Sequence, residues 1–361
     1  GSNYEKRFAS EKMSHAWLNT DKAEVQKYLD DPYYGYYYDE SFGELKADGC
    51  VLEDSSHDGV WNEGGSVNVK NSIFTDLGYA NAAYWGSNVC ANCTFYQCDY
   101  GAMLYGYGDE VQMKFTNCIF NLNDSGNYYG CAIHAAKAVG FMGINNCLFY
   151  DNHGTKKGTT DGPSNLNIAV PHCIINSTFI SPVTTYANVM GLRCGAVESF
   201  GSSLLANNII INENEASGSF VPYAMSTVNT SYWIRSCGYN QYNSYYDNDH
   251  IRVSSTDNLI ACPLLGNKPT LYSYTWDEQT CAWAWDASSK VGDMPDMATL
   301  LDVIENDEMD GAKTSISGQV NDFLDWLRAQ SYNNGSDDAL TVDLYGTHRD
   351  EDAVWPGCYQ K

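Results

Sequence analysis

The feature that most constrains this chain is a short phrase that recurs along its middle part. Each copy is an asparagine, a polar or thiol residue, and then two residues that are β-branched, leucine or phenylalanine. The copies begin at Asn71, Asn92, Asn117, Asn146, Asn176 and Asn207, and a weaker copy begins at Asn240. Because the first six copies are 21 to 31 residues apart, the sequence predicts a solenoid, for which a period of this length is typical.

The segments between these asparagines predict strands rather than helices. They lack apolar residues at helical spacing, and short β-prone stretches such as 115–120 and 174–180 alternate with Gly, Asn, Ser and Asp. Equivalent strands of successive coils would lie about 4.8 Å apart in a parallel ladder. An asparagine at a tight corner tolerates a left-handed backbone and can bond its amide to the asparagines above and below. We therefore predict that the six asparagines from Asn71 to Asn207 form a structural ladder.

This pattern resembles the right-handed parallel β-helix superfamily, which has the pectate-lyase-like fold. The resemblance covers about residues 61–267 and depends on the repeated rungs, not on a catalytic signature. The end of the chain, Asp343-x-x-Gly346-x-x-Arg349 followed by Gly357-x-Tyr359, is similar to the ending of many secreted bacterial β-helix proteins. The resemblance implies an all-β fold, a right-handed single-stranded parallel β-helix with helix-containing caps at both ends.

The flanks of the repeat predict these caps, because an open β stack needs its terminal edges protected. Residues 1–60 are expected to form an N-terminal cap with a helix in residues 10–30 and a Tyr-rich loop. Residues 61–267 would be the β-helix, and residues 268–361 a C-terminal cap. Apolar residues at helical spacing predict two short helices packed on the solenoid in this last part, at Met297, Leu300, Leu301 and Ile304 and at Val320, Phe323, Leu324 and Leu327.

The charge balance limits the possible partners. The chain has 45 acidic and 20 basic residues and a net charge of −25, so nucleic acid and anionic membrane surfaces are not expected ligands. No stretch approaches the roughly 20 apolar residues that span a bilayer. The Gly1-Ser2-Asn3 start carries no signal peptide, so we expect a targeting segment to have been removed. The predicted location is secreted, periplasmic or on the outer cell surface, and the expected state is a monomer.

The thirteen cysteines are an odd number and recur inside strand-like segments. Cys93, Cys118 and Cys147 each follow a ladder asparagine, so their side chains should point in the same direction, which is poor geometry for a disulfide. We expect buried, reduced thiols. The Cys90-x-x-Cys93 spacing places its two thiols on opposite faces of a strand, which argues against a zinc or redox site.

A polar row is predicted at one turn of the solenoid. Asp99, Asp124 and His153 each lie seven residues after a ladder asparagine, and Asp151 lies beside the last of them. His134 and Arg193 both lie seventeen residues after theirs, between apolar neighbours, and should point outward. Together they would line one groove. The catalytic candidates are Asp124, His134, Asp151, His153 and Arg193. A solvated turn row without chemistry is the alternative.

The insertion from Gly154 to Ser164 would border this groove. Its Lys156 and Lys157 are candidates for binding an acidic sugar, and Tyr105 is a candidate for stacking on a sugar ring. No cofactor is predicted with certainty. The resemblance implies that bound Ca²⁺ is possible at the acidic row, because lyases of this fold use a basic residue to abstract a proton α to a uronate while Ca²⁺ and Arg offset the carboxylate charge.

Several functions remain open at this point. The preferred one is an adhesin-like secreted or surface protein that binds extracellular polysaccharides or glycoproteins. The alternative is an enzyme, either a polysaccharide lyase or a glycoside hydrolase acting on acidic polysaccharide, the latter needing two facing carboxylates. A lesser alternative is a stalk-type relative of autotransporter passengers of the immunoglobulin A1 protease kind, without a protease site of its own.

Overall fold

A computed structural model describes most of the solenoid and part of the C-terminal region. The described residues are 14–15, 43–104, 111–124, 132–135, 140–153, 163–168, 170–181, 188–192, 202–212, 221–224, 233–238, 241–242, 259–260, 273–277, 282–286, 296–306, 317–352, 354 and 357–359. In the solenoid, all strand pairings are parallel, and each strand pairs with its equivalents in the coils before and after it.

Three columns of parallel strands form the walls of the solenoid. Two long strands, β3 (Val51–Lys70) and β4 (Ile73–Ala91), each run through all three columns. Column one contains the ends of β3 and β4 with β2 (Glu44–Asp48), β7 (Gln112–Thr116), β10 (Phe141–Asn145), β13 (His172–Ile175), β16 (Ser202–Ala206) and β19 (Trp233–Gly238).

Column two contains the starts of β3 and β4 with β5 (Thr94–Tyr96), β8 (Ile119–Asn121), β11 (Leu148–Tyr150), β14 (Thr178–Ser181), β17 (Ile209–Asn212), β20 (Gln241–Tyr242) and β21 (Leu259–Ile260). Column three contains the middles of β3 and β4 with β1 (Ser14–His15), β6 (Tyr100–Leu104), β9 (Ile133–Ala135), β12 (Pro163–Ile168), β15 (Asn188–Leu192) and β18 (Val221–Ala224). The predicted parallel β-helix is therefore confirmed.

Stacked phenylalanines fill the interior behind column two. Five rings occupy the same register position in successive coils, with neighbouring centroids 4.5 to 4.8 Å apart and planes within 14° of parallel. They are Phe74, Phe95, Phe120, Phe149 and Phe179, each fully buried. The last residue of each repeated phrase therefore belongs to the core, because a ring at this position meets its equivalent at the strand spacing.

The first corner joins column one to column two, and an asparagine occupies it in six successive coils. All six have a left-handed backbone with φ between 50° and 56°. They are Asn71, Asn92, Asn117, Asn146, Asn176 and Asn207. The Nδ2 of Asn92 donates to Asn71 Oδ1 at 3.1 Å, and that of Asn207 donates to Asn176 Oδ1 at 2.8 Å. The residue after each corner asparagine points inward, which places Cys93, Cys118 and Cys147 in the core.

The cysteines of the described region are all free thiols, as predicted, but the prediction that Cys90 and Cys93 point to opposite faces is wrong, since both are buried in the core. The free thiols are Cys50, Cys90, Cys93, Cys98, Cys118, Cys147, Cys173 and Cys358. Those that follow a corner asparagine bond to the chain two residues back, for example Cys118 Sγ to Thr116 O at 3.2 Å. Cys147 Sγ approaches Asn145 O at 3.1 Å in the same way. The thiols therefore act as small buried side chains with a weak donor.

Two helices and a laterally docked segment cover columns one and two at the first corner. Helices α1 (Met297–Asn306) and α2 (Ser317–Arg328) confirm the two predicted helices. Phe323 of α2 packs on Phe141 at 6.1 Å and directly over Gly143, where a Cβ would come within 2.5 Å of its ring.

Short strands and a turn complete the described C-terminal part. A 3₁₀ turn (Asn333–Gly335) and the antiparallel pair β24 (Ser331–Tyr332) and β25 (Asp337–Asp338) follow α2. Strands β22 (Ser273–Asp277) and β23 (Ala282–Asp286) form a separate antiparallel pair.

The segment after β25 binds the asparagine ladder directly. We call residues 339–349, with Gly357 and Cys358, the C-terminal strap. Asn146 Nδ2 donates to the carbonyls of Ala339 (2.9 Å) and Val342 (2.6 Å), and its Oδ1 accepts from the Arg349 guanidinium at 2.6 Å. Arg349 is fully buried and also donates to the carbonyls of Val342 and Gly357. The Asp-x-x-Gly-x-x-Arg ending therefore fastens the chain's end to the first corner.

The N-terminal region differs from its prediction where it is described. The helix predicted in residues 10–30 is wrong at Ser14 and His15, which form β1 and pair with Val60 and Trp61 of column three. The other residues of that stretch and the Tyr-rich loop lie outside the described residues. The stacked strands also extend N-terminally of residue 61, because β2 and the first half of β3 already belong to the columns.

Candidate functional site

The second corner, which joins column two to column three, carries the predicted polar row. As at the first corner, one residue in each coil is left-handed, with φ between 53° and 63°, but its identity varies. These residues are Asp54, Asp76, Gln97, Leu122 and Asp151. Two positions further along, Asp99, Asp124 and His153 stack on one another. We call Asp99, Asp124, Asp151 and His153 the acidic row.

Backbone bonds between coils fix the register of the acidic row. The amide of Asp124 donates to Cys98 O at 2.9 Å, and the amide of His153 donates to Asn123 O at 2.7 Å. Asp124 and His153 form a parallel β-bridge. The two residues that sequence spacing placed side by side are therefore neighbours in adjacent coils.

Buried asparagines stabilise this corner from inside. Asn123 Oδ1 accepts from Cys98 N at 3.0 Å, while its Nδ2 donates to Asn152 Oδ1 at 2.8 Å. Asn152 Nδ2 in turn donates to Phe120 O and to Asn165 Oδ1. Because these inward amides already satisfy backbone groups of the corner, the outward side chains are not needed to hydrogen-bond them.

The acidic row contains two pairs of neighbouring titratable side chains. His153 Nε2 and Asp151 Oδ1 are 2.6 Å apart, and both side chains are about three-quarters buried. Asp99 lies one coil before Asp124, and partial burial together with the negative charge of Asp124 raises the pKa of the Asp99 carboxyl. Two neighbouring carboxyls in different environments, one of them with a raised pKa, are an arrangement that acid–base sites use.

A surface cleft of about 300 Å³ begins at Asp99 and follows the second corner toward the N-terminal coils. It is lined by Asp54, Ser55, Ser56, Asp76, Leu77, Gly78, Gln97 and Asp99. Six of these eight residues have carboxylate, hydroxyl or amide side chains, and none of the eight is Lys, Arg or His. The cleft therefore offers hydrogen-bond acceptors and hydroxyls in an acidic field.

The outer face of column three adjoins this cleft, since Tyr79 follows Gly78 and Tyr100 follows Asp99. The rings of Tyr79 and Tyr100 stack at 5.3 Å with planes 11° apart, and Trp61 packs on Tyr79 edge to face at 6.3 Å. Tyr100 also meets the His134 ring at 5.8 Å. Tyr100 is 5% exposed, so Tyr79 and Trp61 are the more accessible rings of this group.

His134 points outward from column three, as predicted. In the outward row it lies between Met103 of the preceding coil and Asn167 of the following one. Its Nδ1 is 3.3 Å from Asn167 Nδ2. His134 therefore lies on the face beside the acidic row. Its ring contacts Tyr100, which directly follows Asp99 of that row in the chain.

The structure thus brings some of the predicted residues together. Asp124, Asp151 and His153 are contiguous, and His134 lies on the adjoining face. Arg193, Lys156, Lys157 and Tyr105 lie outside the described residues. Within the described ranges, no three His, Cys, Asp or Glu side chains are grouped so as to hold a metal ion, so the acidic row offers no Ca²⁺ site of that kind.

Sequence reasoning missed Asp54, Asp76 and Asn167. Asp54 and Asp76 are left-handed residues of the second corner, where the residue type varies from coil to coil and leaves no visible period. Asn167 lies two residues after Asn165, in a stretch that carries no signal to distinguish it. Only the register of column three places it beside His134.

Comparison with known proteins does not assign this site. No protein-family model matches the chain, and no curated protein or solved structure is significantly similar to it. Among the described helices, none has the length and apolarity to span a membrane.

Proposed function

We propose that this chain is a glycan-binding β-helix protein that acts outside the cell, secreted, periplasmic or surface-bound, as an adhesin-like monomer of the pectate-lyase-like type. Its ligand would be an extracellular polysaccharide or the glycan of a glycoprotein. The observation that carries the proposal is the second-corner cleft, because a groove lined by hydroxyls, carboxylates and an amide matches the hydrogen-bonding surface of a sugar.

The charge of the cleft favours a neutral sugar. Asp54, Asp76 and Asp99 all line the cleft, and the whole chain has a net charge of −25. A uronate or sialate brought there would meet like charge, which costs free energy at close range. A neutral hydroxyl donates to a carboxylate without this cost. Lys156 and Lys157, which favoured an acidic ligand, lie outside the described residues.

A glycan array with matched variants tests the proposal. The wild-type chain is expected to retain neutral glycans in preference to uronic-acid polymers. Asp76→Asn with Asp99→Asn should reduce retention at least tenfold, because two acceptors in the cleft lose their charge. The control is Asp302→Asn with Asp325→Asn, the same two changes on exposed helix positions. Retention of uronic-acid polymers alone, or equal loss in both double variants, would contradict the proposal.

A glycoside hydrolase is the second candidate, favoured by the stacking of Asp99 and Asp124. The backbones of adjacent coils are about 4.8 Å apart, and a retaining hydrolase would need the two carboxyls to face each other across the bound sugar at roughly 5–5.5 Å. Burial and the charge of Asp124 raise the pKa of Asp99, as a proton donor requires. Release of reducing ends from a bound glycan, lost in Asp124→Asn while binding persists, would establish the enzyme. Binding without any release would leave the chain a binding protein.

A further inference from the structure

The outer face of column two carries a continuous row of aliphatic side chains. Val51 and Ile73 pair directly in adjacent coils, and they are 58% and 44% exposed. Thr94, Ile119 and Leu148 occupy the same register position in the next three coils and are partly exposed. We call these five residues the apolar row. Single exposed apolar residues are normal on a protein surface, but a contiguous set is typical of an interaction site.

The other two outer faces of the solenoid are less open. On column one, Phe323 packs over Gly143, and the outward Lys114 is only 8% exposed. On column three, the outward Ala82 and Met103 are 1% and 2% exposed. The apolar row is therefore the part of the described solenoid where large aliphatic side chains are accessible to a partner.

Acidic residues border the apolar row on both sides. Asp48 is exposed on the first-corner side, and Glu53, Asp54 and Asp76 are exposed on the second-corner side. Residues 43–104, which contain these borders, have eight acidic residues, two lysines and no arginine. An apolar stripe with acidic borders is complementary to an apolar stripe with basic borders.

The dimensions of this face fit one α-helix. Successive coils are about 4.8 Å apart, so the apolar row is about 19 Å long, which is the length of a helix of about 13 residues. Four residues separate Cys50 from Asp54 across the face, which gives a width of roughly 13 Å for a helix about 10–12 Å in diameter.

The coil spacing also favours a helix over an extended segment. A helix advances about 5.4 Å per turn, so its turns stay close to successive coils over this length. Residues on one side of an extended segment are about 6.6 Å apart and lose this correspondence sooner.

We propose that the apolar row is the docking site for a basic amphipathic helix of a partner protein, which lies along the solenoid axis. The apolar stripe of that helix packs on the row. Its lysines or arginines meet Asp48 on one border and Glu53, Asp54 and Asp76 on the other. This inference goes beyond the proposed glycan binding and does not depend on it.

A designed helix serves as the probe, with a matched control peptide. The probe is the amidated peptide Leu-Lys-Lys-Leu-Leu-Lys-Leu-Leu-Lys-Lys-Leu-Leu-Lys-Leu, whose leucines form one face of a helix with lysines on both borders. The control has the same composition and charge, but its leucines and lysines alternate as in a strand. Fluorescence anisotropy of each labelled peptide, titrated with the full chain, should show at least tenfold tighter binding of the probe.

Two double variants locate the binding surface. Val51→Thr with Ile73→Thr keeps β-branched side chains but removes apolar surface, and should weaken probe binding about tenfold. Glu53→Gln with Asp54→Asn should weaken it about threefold, since asparagine tolerates the φ of 63° at residue 54 and only charge is lost. Asp302→Asn with Asp325→Asn removes the same charge from exposed helix positions and should change affinity less than twofold.

Equal affinity for the two peptides would overturn the inference, because net charge alone would then explain the binding. Unchanged probe affinity in Val51→Thr with Ile73→Thr would also overturn it. Sedimentation of the chain alone tests another occupant, since a dimer that dissociates in this variant would show that a second copy covers the row. Loss of glycan binding instead of probe binding in this variant would assign the row to a sugar site and likewise overturn the inference.

Discussion

The two described corners of the solenoid share a backbone conformation, but they differ in residue type, in the insertions that follow them and in what contacts them. At both, one residue per coil is left-handed with φ between 50° and 63°. The first corner uses asparagine in six successive coils, and the strap binds the amides of Asn117 and Asn146 there. The second uses aspartate, glutamine and leucine, and a cleft opens along it.

The two corners also differ in the length of the segments that follow them. At the first corner, every coil passes from asparagine to column two through one residue. After the second corner, column three begins directly at Tyr100 in one coil, but eight residues separate Asp124 from Ile133 and nine separate His153 from Pro163. A corner that holds the stack together tolerates neither residue variation nor insertion. The second corner tolerates both because Asn123 and Asn152 stabilise it from inside, and surface variation of this kind is where binding sites arise.

The largest expected effect is at the strap. Arg349→Ala should lower the free energy of unfolding by about 3 kcal/mol, because it leaves the buried carbonyls of Val342 and Gly357 and the Asn146 amide without their charged donor. Urea denaturation followed by circular dichroism measures this. Arg328→Ala removes an exposed ion pair to Asp325 and should change the value by less than about 0.5 kcal/mol. Equal effects of the two variants would mean that the strap does not stabilise the corner.

The next effect compares the corners directly. Asn146→Ala should cost about 2 kcal/mol, because alanine loses the bonds to Ala339 and Val342 and disfavours the left-handed backbone. Leu122→Ala at the second corner should cost less than about 0.5 kcal/mol, since neither leucine nor alanine favours a φ of 54° and Leu122 is half-exposed. Both values come from the same denaturation series. A larger loss at Leu122 would reverse the assignment of the two corners.

A smaller effect should arise from making the second corner resemble the first. Leu122→Asn places the residue that best tolerates the left-handed region at a φ of 54°, and should stabilise the chain by roughly 0.5 kcal/mol. Differential scanning calorimetry of this variant beside Leu122→Ala isolates the conformational contribution. A lower Tm for the asparagine variant would show that Leu122 has a packing role at this corner.

The smallest effect is a dependence on pH. Burial and Asp124 raise the pKa of Asp99, so the folded state holds its proton more tightly than the unfolded state does. Stability contributed by this group is therefore lost as pH rises from about its ordinary pKa of 3.8 through the raised value. Asp99→Asn should raise the Tm slightly at pH 7 and leave it unchanged at pH 3. A gain at pH 3 as large as that at pH 7 would exclude the charge as its cause.

The contrast between the corners also explains what the sequence could predict. Asparagine recurs from Asn71 to Asn207 because one left-handed conformation recurs at this corner, so the parallel stack was predictable. The predicted amide ladder is only partly formed, since the Asn117 and Asn146 amides donate to strap carbonyls instead. The two C-terminal helices followed from apolar spacing. The strand at Ser14 and His15 could not, because its pairing with Val60 and Trp61 is a tertiary contact that overrides a local helical pattern.

The candidate site was predictable only in part, because only some of its residues lie at a fixed spacing from the corner asparagines. Asp124 and His153 share a register with the ladder, and their neighbourhood followed from counting residues. Asn167 and His134 are 33 residues apart, across insertions of unequal length, and only the pairing of β9 with β12 sets them side by side. Asp54 and Asp76 were invisible because the second corner does not repeat its residues.

Hydrogen exchange of backbone amides, with and without a neutral glycan that the chain binds, tests in one experiment whether the first corner stabilises the fold while the second corner binds the ligand, as proposed. We expect added protection at residues 76–78 and 97–99 and no change at residues 92–94, 117–119 and 146–148. Protection confined to the first-corner segments, or spread equally over both corners, would contradict this expectation.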